Sequence, residues 1–100
     1  MPAYGASKAG LHQLTQSLAI ALGPSNITVA AIAPGPIADA SPGVVAALTG
    51  SGGDALRNQS PMGRVATSAE CANAIVFLAS PESSYHSGAI LDLNGASYVR

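Results

Sequence analysis

The sequence predicts an α/β chain in which two parallel strands are joined through a helix and preceded by another helix. Three observations carry this prediction. Residues 3–22 repeat leucine at helical spacing, residues 27–33 form a short, continuous apolar run with β-branched members, and a second helix pattern (68–80) leads into a second short strand pattern (89–93). Strand, crossover and strand in this order make one βαβ unit, the connection that parallel strands require. At 100 residues the chain is expected to hold a single domain spanning 1–100.

Taken in order, Leu11, Leu14, Leu18 and Leu22 give the first helix one apolar stripe, while Ala6, Gly10, Ser17 and Ala21 leave room for a second backbone. Gly23 followed by Pro24 stops it, since glycine suits the position past a helix end and proline cannot continue it. The run Ile27-Thr28-Val29-Ala30-Ala31-Ile32-Ala33 reads as a strand buried on both faces. It leads directly into Pro34-Gly35-Pro36-Ile37, a turn at the strand's carboxyl end, where open α/β sheets bind ligands. Residues 38–66 are irregular and rich in glycine and proline, with short helices expected at 44–48 and 54–58, and this excursion is a candidate substrate lobe. Thr67 and Glu70 have the spacing of a capping box at the start of the second helix, which Pro81 ends. Asn94-Gly95 then reads as the turn after the last strand.

Composition limits the function classes. Charged residues make up 9% of the chain, against roughly 25% in an average domain. A surface so poor in charge is expected to be covered by something outside the sequence. The net charge of −1 offers no basic patch for nucleic acid. No run approaches the roughly 18 apolar residues of a membrane span, and the lone Cys71 excludes a disulfide framework, so a cytoplasmic location is expected. The two sequons, at Asn26 and Asn58, matter only in a secreted protein. His12, His86 and Cys71 lack metal-ligand spacing, so no metal site is expected. Gly5-Ala6-Ser7-Lys8-Ala9 misses the nucleophile-elbow pattern by its last residue, and no strand precedes it. Gly50-Ser51-Gly52-Gly53 lacks the frame of a phosphate loop. Arg64 is expected to make a local ion pair.

The candidate chemistry lies near the amino terminus. Tyr4 and Lys8 are four apart on a helix, so their side chains share one face a turn apart. A free tyrosine titrates near about 10 and is a poor acid–base group at neutral pH. An adjacent ammonium favours the phenolate and brings the phenol towards a useful range. A surface pair is the other reading of the same spacing.

Tyr-x-x-x-Lys, the leucine-striped helix, the strand ending in Pro34-Gly35-Pro36-Ile37, then Pro61-Met62-Gly63-Arg64, Phe77-Leu78-Ala79-Ser80 and Gly88-Ala89-Ile90-Leu91-Asp92-Leu93-Asn94-Gly95 occur in one order. Together they resemble the carboxyl-terminal part of short-chain dehydrogenases/reductases, within them the 3-oxoacyl-carrier-protein-reductase-like group, over essentially the whole chain. The resemblance implies the carboxyl-terminal portion of a Rossmann-type, doubly wound parallel sheet. It also implies an NAD(P)-dependent oxidoreductase that interconverts a carbonyl and an alcohol on a small molecule.

By the same resemblance, Tyr4 is the proton donor or acceptor and Lys8 binds the nicotinamide ribose. Pro34, Gly35, Pro36 and Ile37 line the nicotinamide, the Ile37 N–H close to its carboxamide. Asp39 stands at a cofactor-contacting position where the family usually has threonine; a carboxylate there accepts hydrogen bonds and repels a pyrophosphate. The family's Asp-Gly-Gly reads Asn94-Gly95-Ala96, which suits a turn. The resemblance further implies a homodimer or homotetramer, with the Tyr4 helix in the dimer interface. The glycine-rich dinucleotide loop, and a catalytic serine and asparagine before Tyr4, do not occur in these residues. The chain is therefore expected to be part of a longer enzyme and inactive by itself. The alternatives are a non-catalytic dimerising or interaction module and a truncated remnant.

Overall fold

The computed structural model describes residues 1–99. Its elements, in chain order, are helix α1 (Pro2–Leu22), strand β1 (Ala31–Pro34), helices α2 (Pro42–Thr49), α3 (Gly53–Arg57) and α4 (Ser68–Leu78), and strand β2 (Ile90–Leu93). β1 and β2 form a two-stranded sheet. The rungs from Ala31 N–H to Ala89 O (3.0 Å) and from Gly35 N–H to Leu93 O (2.9 Å) advance together along both chains, so the pair is parallel. The mixed α/β architecture with parallel strands is the one expected.

The chain divides into two compact units, one made of Met1–Ile32 with Val76–Leu91, the other of Ala33–Ile75 with the residues from Asp92 on.

In the first unit, α1 starts on Pro2, whose missing N–H costs nothing at a helix start. The leucine stripe is not what this unit buries. Leu11, Leu14 and Leu18 are 50%, 52% and 39% exposed, whereas Thr15 and Ala19 are buried. Thr15 satisfies its hydroxyl by donating to the Leu11 carbonyl at 2.8 Å. Ala19 lies next to Gly88, where a Cβ would stand 3.7 Å from the Ala19 methyl. Small side chains thus admit the 88 turn, and the leucines are left outward. The α-helix ends at Leu22 with Gly23 at its C-cap, as the sequence indicates, and the chain then continues in a tighter turn. Gly23 stays right-handed and Gly23–Ser25 tightens into a 3-10 turn, with Asn26 taking the left-handed conformation at φ 59°. Asparagine tolerates that region better than most residues, and proline's fixed φ suits the tightened turn.

The strand expected at 27–33 is confined to Ala31–Pro34. Val29 does bond to the partner segment, its N–H to the Ser87 hydroxyl (3.2 Å) and its carbonyl to the Gly88 N–H (2.7 Å). Gly88, however, turns the partner backbone at φ 78°, so the regular ladder begins only beyond it. β1 is half-covered in this chain, not buried on both faces. α4 stops at Leu78, two residues before the expected end. Ser80 must be extended ahead of Pro81, and its N–H bonds back to Phe77 O at 3.0 Å. Phe77 packs edge-on against the His86 ring, centroids 5.4 Å apart.

In the second unit, α2 is capped by the Ser41 hydroxyl, which accepts from Val44 N–H at 3.3 Å. α3 carries an Arg57–Asp54 ion pair (3.1 Å), and Arg57 donates to the Leu48 carbonyl at the end of α2 (2.9 Å). The short helices expected at 44–48 and 54–58 are therefore present with slightly shifted ends. Thr67 and Glu70 form the reciprocal capping box: Glu70 N–H to Thr67 Oγ1 at 3.1 Å, Thr67 N–H to Glu70 Oε1 at 3.0 Å. Among the described residues, no helix is long and apolar enough to cross a membrane.

Candidate active site

Tyr4 and Lys8 lie on the first turns of α1. The helical spacing stacks them, with Lys8 Nζ 5.5 Å from the centroid of the Tyr4 ring, within cation–π reach. Tyr4 is 57% exposed. Among the described residues, neither its hydroxyl nor the Lys8 ammonium has a hydrogen-bond partner, so both keep their donors for a ligand. Ser7, between them, donates to the Tyr4 carbonyl at 2.8 Å, a helix back-bond that leaves it no nucleophilic role.

The turn after β1 belongs to the second unit. Gly35 approaches the strand that follows so closely that a Cβ there would meet Asn94 Cα and Cβ at 3.3 Å. Pro36 and Ala38 bond across to Ala66: Ala66 N–H to Pro36 O and Ala38 N–H to Ala66 O, both 2.9 Å. Ile37 and Ala66 thus form a parallel bridge in which the Ile37 carbonyl accepts from Ala40 N–H at 3.2 Å. The Ile37 N–H has no partner among the described residues.

Asp39 is exposed, and its Oδ1 accepts the Ser68 hydroxyl at the first residue of α4. This contact lay beyond sequence reasoning, because 29 residues separate the partners and no local pattern joins them.

Beside the same turn is a cavity of about 250 Å³, lined by Gly35, Pro36, Ser60, Arg64, Glu70 and Asn94 among others. Arg64 grips Glu70 through two parallel bonds of 2.7 and 2.8 Å, the local ion pair expected of it. The Arg64 hydrogen bonds, with the Thr67 N–H, hold the Glu70 carboxyl down at about 2, and Arg64 is raised in return. Ser60 is buried; its hydroxyl donates to Gly95 O (2.7 Å) and accepts from Met62 N–H (3.1 Å). The turn that follows β2 carries two consecutive left-handed residues, Gly95 at φ 57° and Ala96 at φ 64°. Asn94 braces it, accepting from Ala96 N–H and donating to Tyr98 O, both at 3.0 Å. Cys71 is buried, and burial pushes its thiol up. No group of three or more potential metal ligands exists among the described residues.

Within the first unit, the Tyr4 hydroxyl and the Lys8 ammonium are donors that suit ribose hydroxyl or carbonyl oxygens; within the second, the Ile37 N–H suits an amide oxygen. Asp39 does not fit as a donor to it.

The family model described as enoyl-(acyl carrier protein) reductase matches residues 1–95. The chain is 44% identical over 93 residues to cyclohexanol dehydrogenase of Rhodococcus sp. (strain TK6), covering 92% of this chain and 33% of that protein. Among solved structures it resembles 3-ketoacyl-(acyl-carrier-protein) reductase from Brucella melitensis complexed with NADH, with a TM-score of 0.80 and 31% identity over 96% of this chain and 36% of that one. It also resembles the angucycline C-6 ketoreductase LanV with bound NADP, with a TM-score of 0.84 and 32% identity over 94% of this chain and 35% of that one. The chain spans 17% to 38% of the length of curated relatives it matches. On the extent of the family match and the shared fold, the chain belongs to the short-chain dehydrogenase/reductase family.

Proposed function

We propose that this chain carries the acid–base half of an NAD(P)-dependent oxidoreductase that interconverts a carbonyl and an alcohol on a small molecule. The observation that carries the reading is the stacked Tyr4–Lys8 pair, with a phenol and an ammonium that spend no hydrogen bond on the rest of the chain. A bound nicotinamide supplies or takes up the hydride. Tyr4 gives its proton to the carbonyl oxygen as that oxygen gains charge, or takes it from the alcohol in the reverse direction. Lys8 holds the ribose hydroxyls and favours the phenolate left behind. The Ile37 N–H and the backbone of Pro34, Gly35 and Pro36 orient the carboxamide side, and residues 38–66 enclose the substrate. NADH and NADP in two similar structures support a nicotinamide dinucleotide, of either kind, as the cofactor.

These residues contain no glycine-rich dinucleotide loop, so turnover is assigned to a protein or assembly that supplies one. A second copy of the chain is the proposed partner for α1, whose Leu11, Leu14 and Ile20 stand outward at 50%, 52% and 80% exposure.

The test is Tyr4→Phe, which keeps the ring and removes the proton. Turnover is expected to fall by about 10²–10⁴-fold, the usual worth of general acid–base catalysis, with cofactor affinity nearly intact. Unchanged turnover removes Tyr4 from this role.

A further inference from the structure

We propose that Asp39 is a positioning residue, whose carboxylate, held by the Ser68 hydroxyl, locks the turn that presents the Ile37 N–H. The inference rests on reading that N–H as a cofactor contact. Three bonds join the turn to the segment entering α4: Ala66 N–H to Pro36 O and Ala38 N–H to Ala66 O, both 2.9 Å, and the Ser68 hydroxyl to Asp39 Oδ1. The two backbone bonds flank Ile37 in the sequence, and the Asp39 bond closes the far side. With residues 36, 38 and 39 all held, the Ile37 peptide has little freedom to rotate.

The anchor is itself rigid. Ser68 follows Thr67, which caps α4 reciprocally with Glu70, and Glu70 is gripped by both terminal nitrogens of Arg64. The chain of contacts runs Arg64, Glu70, Thr67, Ser68, Asp39 and then the turn. A carboxylate suits this place. An ionised oxygen accepts strongly from a hydroxyl, as Asp39 Oδ1 does from Ser68.

Two measurements decide the proposal: hydrogen exchange on this chain, and nucleotide titration on the larger protein or assembly that supplies the glycine-rich loop. Amide hydrogen exchange reads the clasp: Ser68→Ala and Asp39→Ala are expected to speed exchange at Ala38 and Ala40 by about two- to tenfold, the worth of one such bond. Ala31, in β1, is expected to be unmoved. Asp39→Asn keeps an acceptor oxygen without the charge and is expected to restore protection. Titration with NADH and NADPH reads the consequence: Ser68→Ala and Asp39→Ala weaken binding, and Asp39→Asn stays near the wild type. Unchanged exchange in both alanine variants overturns the clasp. Tighter binding by Asp39→Asn and Asp39→Ala alike overturns positioning, because it shows that Asp39 acts by repulsion. Failure of the wild-type protein or assembly, with its glycine-rich loop present, to bind either nucleotide overturns the functional reading and the positioning role built on it, while the exchange result still decides the clasp.

Discussion

Tyr4 and Lys8 were readable from sequence because the relation between them is local: four residues on a helix have one geometry, and the side chains follow it. Asp39 is the opposite case. Its sequence neighbours mark it only as an acid in a turn, and its role depends on a hydroxyl 29 residues away. Ala96 is a third kind of residue. The pattern Asn94-Gly95-Ala96 reads as an ordinary turn, yet the backbone places alanine at φ 64°, where a Cβ is strained. Ala96→Gly is therefore expected to stabilise the protein by about 1 kcal/mol, the cost of a non-glycine residue in that region. Chemical denaturation measures it, and a loss of stability would show that the turn shifts to relieve the strain.

At the scale of elements, helix starts were more legible than helix ends. Thr67 and Glu70 announce the start of α4 through spacing alone, and their bonds form as that spacing requires. α1 does end at Leu22 before Gly23, as the sequence indicates, but at the end of α4 Pro81 forces Ser80 out of the helix two residues early. The start of β1 was hidden for a related reason, since its limit comes from a bend at Gly88 in the partner strand and not from its own residues. The α4 cap also gives the protein a pH dependence. Glu70 is held at about 2 against an ordinary 4.5, so its stabilisation is present above about 4.5 and lost as pH falls towards 2. Glu70→Gln is expected to remove part of the fall in melting temperature over that window. The effect is small because the pair is exposed to solvent. An identical acid profile in the variant would mean that the pair contributes nothing to folding.

For the whole molecule, the scarcity of charge was readable, and large apolar side chains of α1 are exposed in the structure. The face left outward was not readable. Leucine periodicity marks an apolar stripe but cannot say whether the chain itself or another molecule covers it. Here Thr15 and Ala19 pack inward while the leucines remain exposed. With a second copy as the proposed cover, Leu14→Glu is expected to shift the protein to a smaller species in sedimentation. An unchanged size would take α1 out of the interface. Cofactor binding is the other property of the whole. With no glycine-rich loop in these residues, calorimetry on the hundred-residue chain alone is expected to show no tight binding of NADH or NADPH. Tight binding would refute the assignment of turnover to a larger protein or assembly.

The contact between Ser60 and Gly95 bears on how this chain can change over time. A Cβ at Gly95 would collide with Ser60 Oγ and stand 3.3 Å from Ser60 Cβ. Gly95→Ala made first collides with the hydroxyl and is strained besides at φ 57°. Made after Ser60→Ala, it still meets the residue-60 methyl at 3.3 Å and Met62 Sδ at 3.4 Å and keeps the φ strain, but the collision with the hydroxyl is gone. The two substitutions are therefore expected to be non-additive, with the double variant more stable than the sum of the single losses implies. The order of change at this pair is expected to matter, with the loss at position 95 smaller once position 60 has shrunk.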